Sequence, residues 1–421
     1  MHNQAGSYYK SGVAKAELHE YAAALEDYNK AIELSPAYAD VYYKRGIARH
    51  ELHDYTGAIQ DYTKAVELIP SYASAYSRRA VSKLKMFDYT GALQDCNRAI
   101  EIHPTANAYN NRGYAKYALK QYVSAMQDYD KAIEMDAGYA PVYNNRGVCK
   151  YTLRDNTGAI QDYDRAIELS PDHADVYNNR GVSKQVLKDY TGAMQDYDKA
   201  IELSPYYAFA HLNRGITKHI LKDYTGAIED YNIALLYNPG HSNIYCERGV
   251  AKYKLEDYRG AMQDYDMAIY LSDDYTKPHY YRALIKQKAK AYTTAINDYN
   301  KVIELKPNYE EAYNNRAICK YGLGDYAGAM HDCDQAIALK PTHYRPYYKR
   351  GIMKFNLGDY KSAIEDYDKA IELNKTNGRA YFRRGNAKHR TGDQPGAYID
   401  WRTALTNGHK AAEIMINKHC K

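Results

Sequence analysis

The chain has 421 residues, 26% of them charged, and a formal net charge of +5, so its balance does not by itself indicate nucleic acid or an acidic membrane as partner. Its six cysteines are scattered without a CxxC pair, which favours free thiols in a reducing compartment over disulfides or a metal site. Since neither a long apolar run nor a signal-like segment lies near Met1, we expect a cytoplasmic protein without a membrane span, and export stays open only if a signal peptide has been removed.

A short motif, YNNRG, recurs along the chain and begins at Tyr109, Tyr143 and Tyr177. The last two are 34 residues apart, and the stretch DYTGAIQDY at Asp54 returns with one change at Asp189. A fixed period of this length is the signature of stacked helical repeats, which grow by adding units to one continuous core. We therefore expect one elongated all-α domain.

Taking Ala39 as position 1 places the repeats in a single register. After an N-terminal tail, 1–4, the twelve repeats are 5–38, 39–72, 73–105, 106–139, 140–173, 174–207, 208–241, 242–275, 276–309, 310–343, 344–377 and 378–411. The third repeat has only 33 residues, and its missing residue falls after Pro104, in a turn, where deletions are tolerated.

Each repeat divides into two helices. In the second repeat the first helix carries Tyr42 at position 4 and Gly46 at position 8, and the second helix carries Ala58 at position 20 and Tyr62 at position 24. Small residues at positions 8 and 20 let the helices approach closely, and the ring at position 24 fills the remaining volume. Pro70, at position 32, cannot continue a helix and sets the turn into the next repeat.

This order of aromatic, small and proline positions resembles the tetratricopeptide repeat over essentially 5–411. The resemblance implies an α-solenoid of about twelve helix-turn-helix units in a right-handed superhelix, with the first helix of each unit lining the concave face. It also implies a binding scaffold for protein partners, although the fold alone does not identify a partner.

Charged residues depart from the family pattern at three positions. Position 7 is Arg in eleven repeats, position 11 is Lys or Arg in all twelve, and position 23 is Asp in all twelve, as in Arg112, Lys116 and Asp128. Arg can hold a carboxylate through two parallel hydrogen bonds, so we expect a ladder of charges that joins the two helices of each repeat. The alternative, an Arg stripe that binds phosphate, is disfavoured because positions 4, 7, 8 and 11 share the helix face that packs on the second helix.

The end of the chain is typical of a cap. Trp401 stands at position 24 of the last repeat, and Gly408 follows its second helix. The segment 412–421 predicts a short helix that covers the open final repeat. Its apolar side consists of Ala412, Ile414, Met415 and Ile416, and its polar side of Glu413, Asn417, Lys418 and Lys421.

No enzyme is expected. The sequence contains no HExxH, no Gly-rich phosphate loop, no GxSxG and no Cys/His spacing for a metal, so neither a cofactor nor a metal site is expected. Several His residues, such as His173 and His241, stand at position 34, where other repeats have Tyr, and are interpreted as packing or turn residues.

The candidate binding residues lie at positions 2, 5 and 6 of the first helices, which are expected to face the groove. Position 6 is Asn in the middle repeats and a cation towards both ends, and this zoning favours a ligand over a surface that is merely solvated. The candidate amides are Asn110, Asn111, Asn144, Asn145, Asn178, Asn179, Asn213, Asn314 and Asn315. The basic groove ends are Lys10, Lys44, Arg78, Arg345, Lys349, Arg379 and Arg383.

An amide offers donors and an acceptor that match peptide backbone without demanding particular side chains. The position-6 row resembles the asparagine ladder in the repeat domains of O-linked N-acetylglucosamine transferase, a resemblance that implies backbone contacts by five residues. These are Asn111, Asn145, Asn179, Asn213 and Asn315. The sugar-transferring domain of that enzyme has no counterpart in this sequence.

A second comparison is with the dicarboxylate clamp of chaperone adaptors. Asn315, Arg345 and Lys349 match part of the clamp, but Tyr280 and Leu284 stand where a Lys and an Asn are required. The clamp is incomplete, so chaperone-tail binding is not expected.

Two functions stay open. The first is a scaffold, monomeric or weakly self-associating, that binds an extended and acidic segment of a partner protein. The second is RNA or another polyanion, with groove cations on phosphates and rings such as Tyr117 and Tyr151 on bases. A net charge of +5 over twelve repeats is thin for the second, and a steep salt dependence would identify it.

Overall fold

The computed structural model describes residues 2–419, which contain twenty-five α-helices and no strand. The chain divides into two compact units, Met1–Thr217 and Lys218–Lys421. The boundary lies inside one helix, so it does not coincide with the end of a repeat, and the expected single domain of 5–411 stays a prediction.

The first unit contains six complete repeats, each made of two antiparallel helices. Its helices are α1 (His2–Glu17), α2 (Tyr21–Leu34), α3 (Ala39–Glu51), α4 (Tyr55–Leu68), α5 (Ala73–Lys85), α6 (Tyr89–Ile102), α7 (Ala106–Ala118), α8 (Tyr122–Met135), α9 (Ala140–Thr152), α10 (Asn156–Leu169), α11 (Ala174–Val186) and α12 (Tyr190–Leu203). The helix that contains the unit boundary is α13 (Ala208–Ile220). Because α1 begins at His2, the described part of the expected N-terminal tail is helical.

The second unit continues the same alternation. Its helices are α14 (Tyr224–Tyr237), α15 (Ser242–Lys254), α16 (Tyr258–Leu271), α17 (Thr276–Lys288), α18 (Tyr292–Leu305), α19 (Glu310–Gly322), α20 (Tyr326–Leu339), α21 (Tyr344–Asn356), α22 (Tyr360–Leu373), α23 (Gly378–Arg390), α24 (Gln394–Thr406) and α25 (Ala411–His419). Within each unit first helices of neighbouring repeats also pack on one another, as α5 does on α7 and α19 on α21. First helices therefore form a continuous surface in each unit.

The turn inside each repeat is set by positions 15 and 16. Position 15 has a positive φ in every repeat, for example 65° at Lys188 and 82° at Gly324, so the chain reverses through one left-handed residue. Where position 16 is Asp, its side chain caps the second helix, as Asp189 does by accepting a hydrogen bond from the backbone N–H of Gly192 at 2.9 Å.

The predicted close packing at positions 8, 20 and 24 is confirmed. A Cβ at Gly147 would lie 2.6 Å from Cε1 of Tyr163, so the ring of Tyr163 rests directly on the glycine backbone. Tyr163 is 1% exposed and Ala159, at position 20, is fully buried. In the last repeat Trp401 occupies the same place against Gly385.

A C-terminal capping helix is also present. Ala412 of α25 is buried, and Met415 and Ile416 pack against the cluster around Trp401. Ile414 is 69% exposed, so its expected place on the apolar side is wrong: the helix turns that residue outward. Cys420 and Lys421 lie outside the described residues.

Candidate functional site

The charges at positions 7, 11 and 23 form the expected ladder. In the fifth repeat Arg146 donates from Nη2 and Nε to the two carboxylate oxygens of Asp162, at 2.6 and 2.9 Å, and Nζ of Lys150 lies 2.7 Å from Oδ2. Nη1 of Arg146 donates to Asp130 of the preceding repeat at 2.7 Å. The guanidinium also lies over the ring of Tyr143, 5.7 Å from its centroid. The Arg therefore joins three helices, α8, α9 and α10, across two repeats.

Burial opposes ionisation of Arg146, but hydrogen bonds to Asp162 and Asp130 outweigh it and raise the pKa of the guanidinium above its usual value. The same bidentate contact with the position-23 Asp recurs in nine other repeats. The first repeat has Ser11 at position 7, which donates to Asp27 at 2.7 Å. Because these Arg donors are committed inside the fold, the row is unsuited to phosphate.

The position-6 amides form a second ladder on the other side of the first helices. Asn145 donates from Nδ2 to Oδ1 of Asn110 at 2.9 Å, so the position-6 amide of one repeat bonds the position-5 amide of the repeat before it. The next two repeats make the same contact, at 3.2 Å from Asn179 to Asn144 and 2.9 Å from Asn213 to Asn178. These three contacts are called the amide rungs below.

The two amides of each pair differ in exposure, although both were expected to face the groove. Asn110 and Asn178 are each 5% exposed and Asn314 is 4% exposed, whereas Asn144 and the position-6 residues are half-buried. The expectation of groove exposure is therefore wrong for those three residues. At these three residues position 5 turns into the contact with the next first helix, whereas Asn144 and the position-6 amides reach the surface in part.

Each rung commits one donor of the position-6 amide. An Asn side chain carries two N–H donors and a carbonyl oxygen, so at Asn145, Asn179 and Asn213 a second donor and the acceptor are left for a ligand. Asn111 has Ser77 rather than Asn as its position-5 neighbour and donates instead to Asn107 of its own helix at 2.9 Å. The surface formed by the position-2 and position-6 side chains of the first helices is called the first-helix face.

In the second unit the rung changes its chemistry. Asn315 donates to the hydroxyl of Tyr280 at 3.2 Å, and Lys349 donates from Nζ to Oδ1 of Asn314 at 2.8 Å and to its backbone oxygen at 3.1 Å. Burial lowers the pKa of the Lys349 ammonium to about 8, and the nearby Arg345 also lowers it. Lys349 was expected in the basic groove end, but its ammonium is turned inward to fill a rung.

The other residues predicted for the basic groove end of the second unit lie at the surface. Arg345 and Arg379 are exposed and Arg383 is half-buried. Arg379 and Arg383 line a cavity of about 380 Å³ together with Phe382 and His409. Burial lowers the pKa of His409, and both arginines lower it further. The positive charges of the two arginines therefore disfavour protonation of His409. In the first unit Lys10 and Arg78 are exposed and Lys44 is half-buried.

A pocket between the third and fourth repeats was missed from the sequence. It has a volume of about 430 Å³ and is lined by residues that include Tyr43, Ser77, Arg78 and Asn111. The signal for this pocket in the sequence was the 33-residue length of the third repeat. It was overlooked because a deletion in a turn is ordinarily tolerated without any functional reason.

The described residues contain no group of three or more His, Cys, Asp or Glu side chains placed to hold a metal ion. None of the helices in 2–419 is long and apolar enough to cross a membrane. Five cysteines are buried, and burial raises the pKa of the Cys96 thiol to about 12 and that of Cys149 to about 11. These thiols are poor nucleophiles.

Comparisons with known proteins agree with this architecture. A model described as TPR repeat matches residues 12–53, 151–185 and 353–392, and two models described as tetratricopeptide repeat match 39–72, 106–139, 174–207 and 310–343. No curated protein sequence matches the chain.

Among solved structures, the APC/C hetero-tetramer Cut9–Hcn1 is similar with a TM-score of 0.51 at 13% identity, covering 97% of this chain and 95% of that chain. Yeast Tom70 has a TM-score of 0.40 at 17% identity, covering 98% and 95%. YrrB, described as a TPR protein with an unusual peptide-binding site, has a TM-score of 0.35 at 23% identity, covering 44% and 95%. At 13% identity the first of these shows a shared fold alone.

Proposed function

Because this chain belongs to the tetratricopeptide repeat family, we propose that it is a non-catalytic scaffold whose first-helix face binds an extended segment of a partner protein. The observation that carries the proposal is the set of amide rungs. Each rung holds its position-6 amide in one orientation through the bond to the preceding repeat. A ligand therefore meets pre-oriented groups, which lowers the entropy cost of binding.

The uncommitted groups of the rungs match an extended backbone. A peptide in this conformation presents N–H and C=O groups along its length, and each position-6 amide offers one acceptor and one donor. Such contacts do not depend on the side chains of the partner. The rungs therefore contribute affinity, and other positions of the first-helix face contribute selectivity.

Charge supports an acidic segment. At the N-terminal side of the rungs the position-6 residues are Lys10, Lys44 and Arg78, none of which belongs to the Arg–Asp–Lys ladder. Lys10 and Arg78 are exposed. A bound segment that extends from the rungs towards the start of the chain then meets cations, which favour Asp and Glu and speed association at low salt.

Nothing in the side-chain contacts favours a polyanion over a peptide. The Arg row, which would supply most of the positive charge, is bonded to Asp residues in all eleven repeats that contain it, and the net charge of the whole chain is only +5. RNA binding is therefore an outcome that the experiment below distinguishes.

The test compares two triple variants of the full chain. Asn145, Asn179 and Asn213 are changed to Ala in one. In the matched control Gln127, Gln161 and Gln195, exposed amides of three second helices, are changed to Ala. A twelve-residue peptide is selected on the wild-type chain from a random display library, and its Kd and that of a single-stranded RNA are measured by fluorescence anisotropy at several salt concentrations.

We expect the Asn variant to weaken peptide binding by about tenfold or more, because each lost hydrogen bond is worth about 0.5–1.5 kcal/mol. The Gln variant should bind like wild type, and the Kd for the peptide should rise with salt much less steeply than that of a polyanion, because only the cations beside the rungs contact acidic side chains. Equal affinities of the two variants would refute the proposal and leave a solvated surface. Tight, steeply salt-dependent RNA binding without a selectable peptide would establish the polyanion function instead.

A further inference from the structure

The turn after the third repeat lacks a ring that other turns contain. Helix α6 ends at Ile102, α7 begins at Ala106, and Thr105 occupies the residue before the first helix. Thr105 has extended φ and ψ of −140° and 153°, and its hydroxyl accepts a hydrogen bond from the N–H of Ala108. In nine other repeats the residue before the next first helix is aromatic: Tyr38, Tyr72, Tyr139, His173, Tyr207, His241, Tyr275, Tyr309 and His343.

Where that ring is a Tyr, two kinds of contact recur in its own repeat, and Tyr72 makes both. Tyr38, Tyr72 and Tyr309 pack on a position-5 ring, with centroids 4.9 Å apart for Tyr72 and Tyr43. The hydroxyl of Tyr72 also donates to a polar side chain at position 2, that of Asp40, at 2.7 Å. Tyr275 donates in the same way to Asn243 at 2.9 Å.

The third repeat has no ring before the next first helix and no ring at position 5, but it has a polar residue at position 2. Position 5 is Ser77 and position 2 is Ser74, and both line the pocket of about 430 Å³. In the fifth repeat, where His173 is retained, the corresponding cavity has a volume of about 120 Å³. Of these two cavities, the larger one lies where Thr105 stands in place of the turn ring and Ser77 stands at position 5 in place of Asn144.

The lining of this pocket is suited to a phenol. Tyr43 supplies an aromatic wall, Ser74, Ser77 and Thr105 supply hydroxyls, and Arg78 supplies a cation. A cavity of about 460 Å³ in the first repeat differs, because it keeps Tyr38 and the described residues of its lining include no charged one. No acidic side chain lines the pocket of the third repeat.

We propose that this pocket is an anchor for a tyrosine side chain of the bound partner segment, whose ring takes the place of the ring missing from the third repeat. The proposal rests on the proposed function, because Asn111 lines the pocket and also begins the row of position-6 amides. A segment lying along the rungs can thus insert one side chain at the end of the row. The anchor adds the selectivity that backbone contacts lack.

The test uses N-acetyltyrosinamide as a probe of the pocket alone. Its binding to the full chain is followed by saturation-transfer NMR, beside N-acetylleucinamide and the α-amide of N-acetylglutamate, which keeps its side-chain carboxylate. Ser77→Tyr places in the pocket the ring that the second repeat has at position 5. A second variant carries one Tyr inserted after Thr105, which restores the 34-residue period. Ser71→Tyr, which adds a ring at an exposed turn residue outside the pocket, is the control.

We expect N-acetyltyrosinamide to bind wild type and Ser71→Tyr, and the two filled variants to bind it about tenfold more weakly or not at all. Circular dichroism confirms the fold, and the insertion replaces Ser77→Tyr if that variant unfolds. Equal binding of leucinamide or the glutamate probe would overturn the assignment to tyrosine. Undiminished binding to both filled variants would overturn the site.

The Asn145, Asn179 and Asn213 triple variant separates the two proposals. It should lose the selected peptide but keep N-acetyltyrosinamide, because none of its residues lines the pocket. If it keeps the peptide while the filled variants lose the probe, the rung-based function fails and the pocket remains. If the filled variants keep both probe and peptide, the anchor fails and the rungs remain.

Discussion

Two polar layers run along the first helices, and they differ in constancy and burial. The Arg–Asp–Lys ladder has Asp at position 23 in all twelve repeats, from 0 to 6% exposed, and joins first helices to second helices. The amide rungs occur in three successive repeats, and their position-6 residues are half-buried. The polar residue that never varies along the array holds each repeat together, whereas the zoned position-6 amides are the residues that we propose contact a ligand.

The largest effect is expected from breaking the ladder with Asp162→Ala. Arg146 and Lys150, each 19% exposed, would keep positive charges without their carboxylate. We expect a loss of roughly 3 kcal/mol in the free energy of unfolding, at the low end for a broken buried pair because both cations keep some water contact. Urea unfolding measures the loss, and hydrogen exchange should locate it in α9 and α10.

Asp164→Ala is the matched control for that variant. Asp164 bonds Arg180 at 2.6 Å but is 47% exposed, so its removal should cost less than about 1 kcal/mol. Equal losses for the two substitutions would mean that burial does not distinguish the ladder from a surface ion pair.

Gly147→Ala tests the packing beneath the ladder. The new Cβ would lie 2.6 Å from Cε1 of Tyr163, so the ring or the helix must shift. The ninth repeat already has Ala283 opposite Tyr299, which places the cost near 1–2 kcal/mol, in the lower part of the range for overpacking. Urea unfolding of Gly138→Ala, whose nearest neighbour would be 3.3 Å away at a side-chain oxygen, should show little change.

A double-mutant cycle across one rung gives a smaller effect. Asn145→Ala leaves the carbonyl of Asn110, a residue 5% exposed, without its donor and should cost about 1–2 kcal/mol. The double variant with Asn110→Ala should recover part of that loss, because no unpaired polar atom is then buried. Strictly additive unfolding energies would show that the rung contributes no coupling.

The smallest effect concerns the charged rung at Lys349. Its pKa is lowered from 10.5 to about 8 in the folded chain by burial, so between these pH values the unfolded chain binds more protons. Lys349 therefore contributes stability that rises with pH from pH 8 to pH 9, whereas the buried cysteines, whose thiol pKa values are raised by burial, contribute stability that falls. Lys349→Met keeps only the cysteine contribution, so wild type should gain stability relative to that variant over this window. A parallel pH dependence of both chains in urea unfolding would contradict the assignment.

Much of the architecture was predictable because it repeats. Helix pairs, the small residues at positions 8 and 20, the ring at position 24 and the charge ladder each occur many times at fixed offsets, so chance matches are excluded by number. The left-handed residue at position 15 was not predicted, because nine of the twelve repeats use a residue other than glycine there.

The candidate site was predictable only in part. Asn110 and Asn111 are adjacent and alike in the sequence. The first is buried and accepts a hydrogen bond from Asn145 of the next repeat, whereas the second is only half-buried. Lys349 was predicted as a groove cation for the same reason, since its position is that of Lys10 and Lys44. Side chains of adjacent residues in a helix point about 100° apart. Which of the two polar side chains becomes buried depends on how the neighbouring helix packs against them.

The sequence by itself determined that this chain is a tetratricopeptide repeat array, which residues form its ladder, and where polar groups change character along it. Those conclusions rest on intervals within one repeat, and helix geometry converts such intervals into faces. Only the tertiary structure decided that Asn145 bonds Asn110, that Lys349 turns inward, and that a 33-residue repeat leaves a pocket. Each of these depends on how one first helix is set against the next, which the spacing of residues within a helix does not encode.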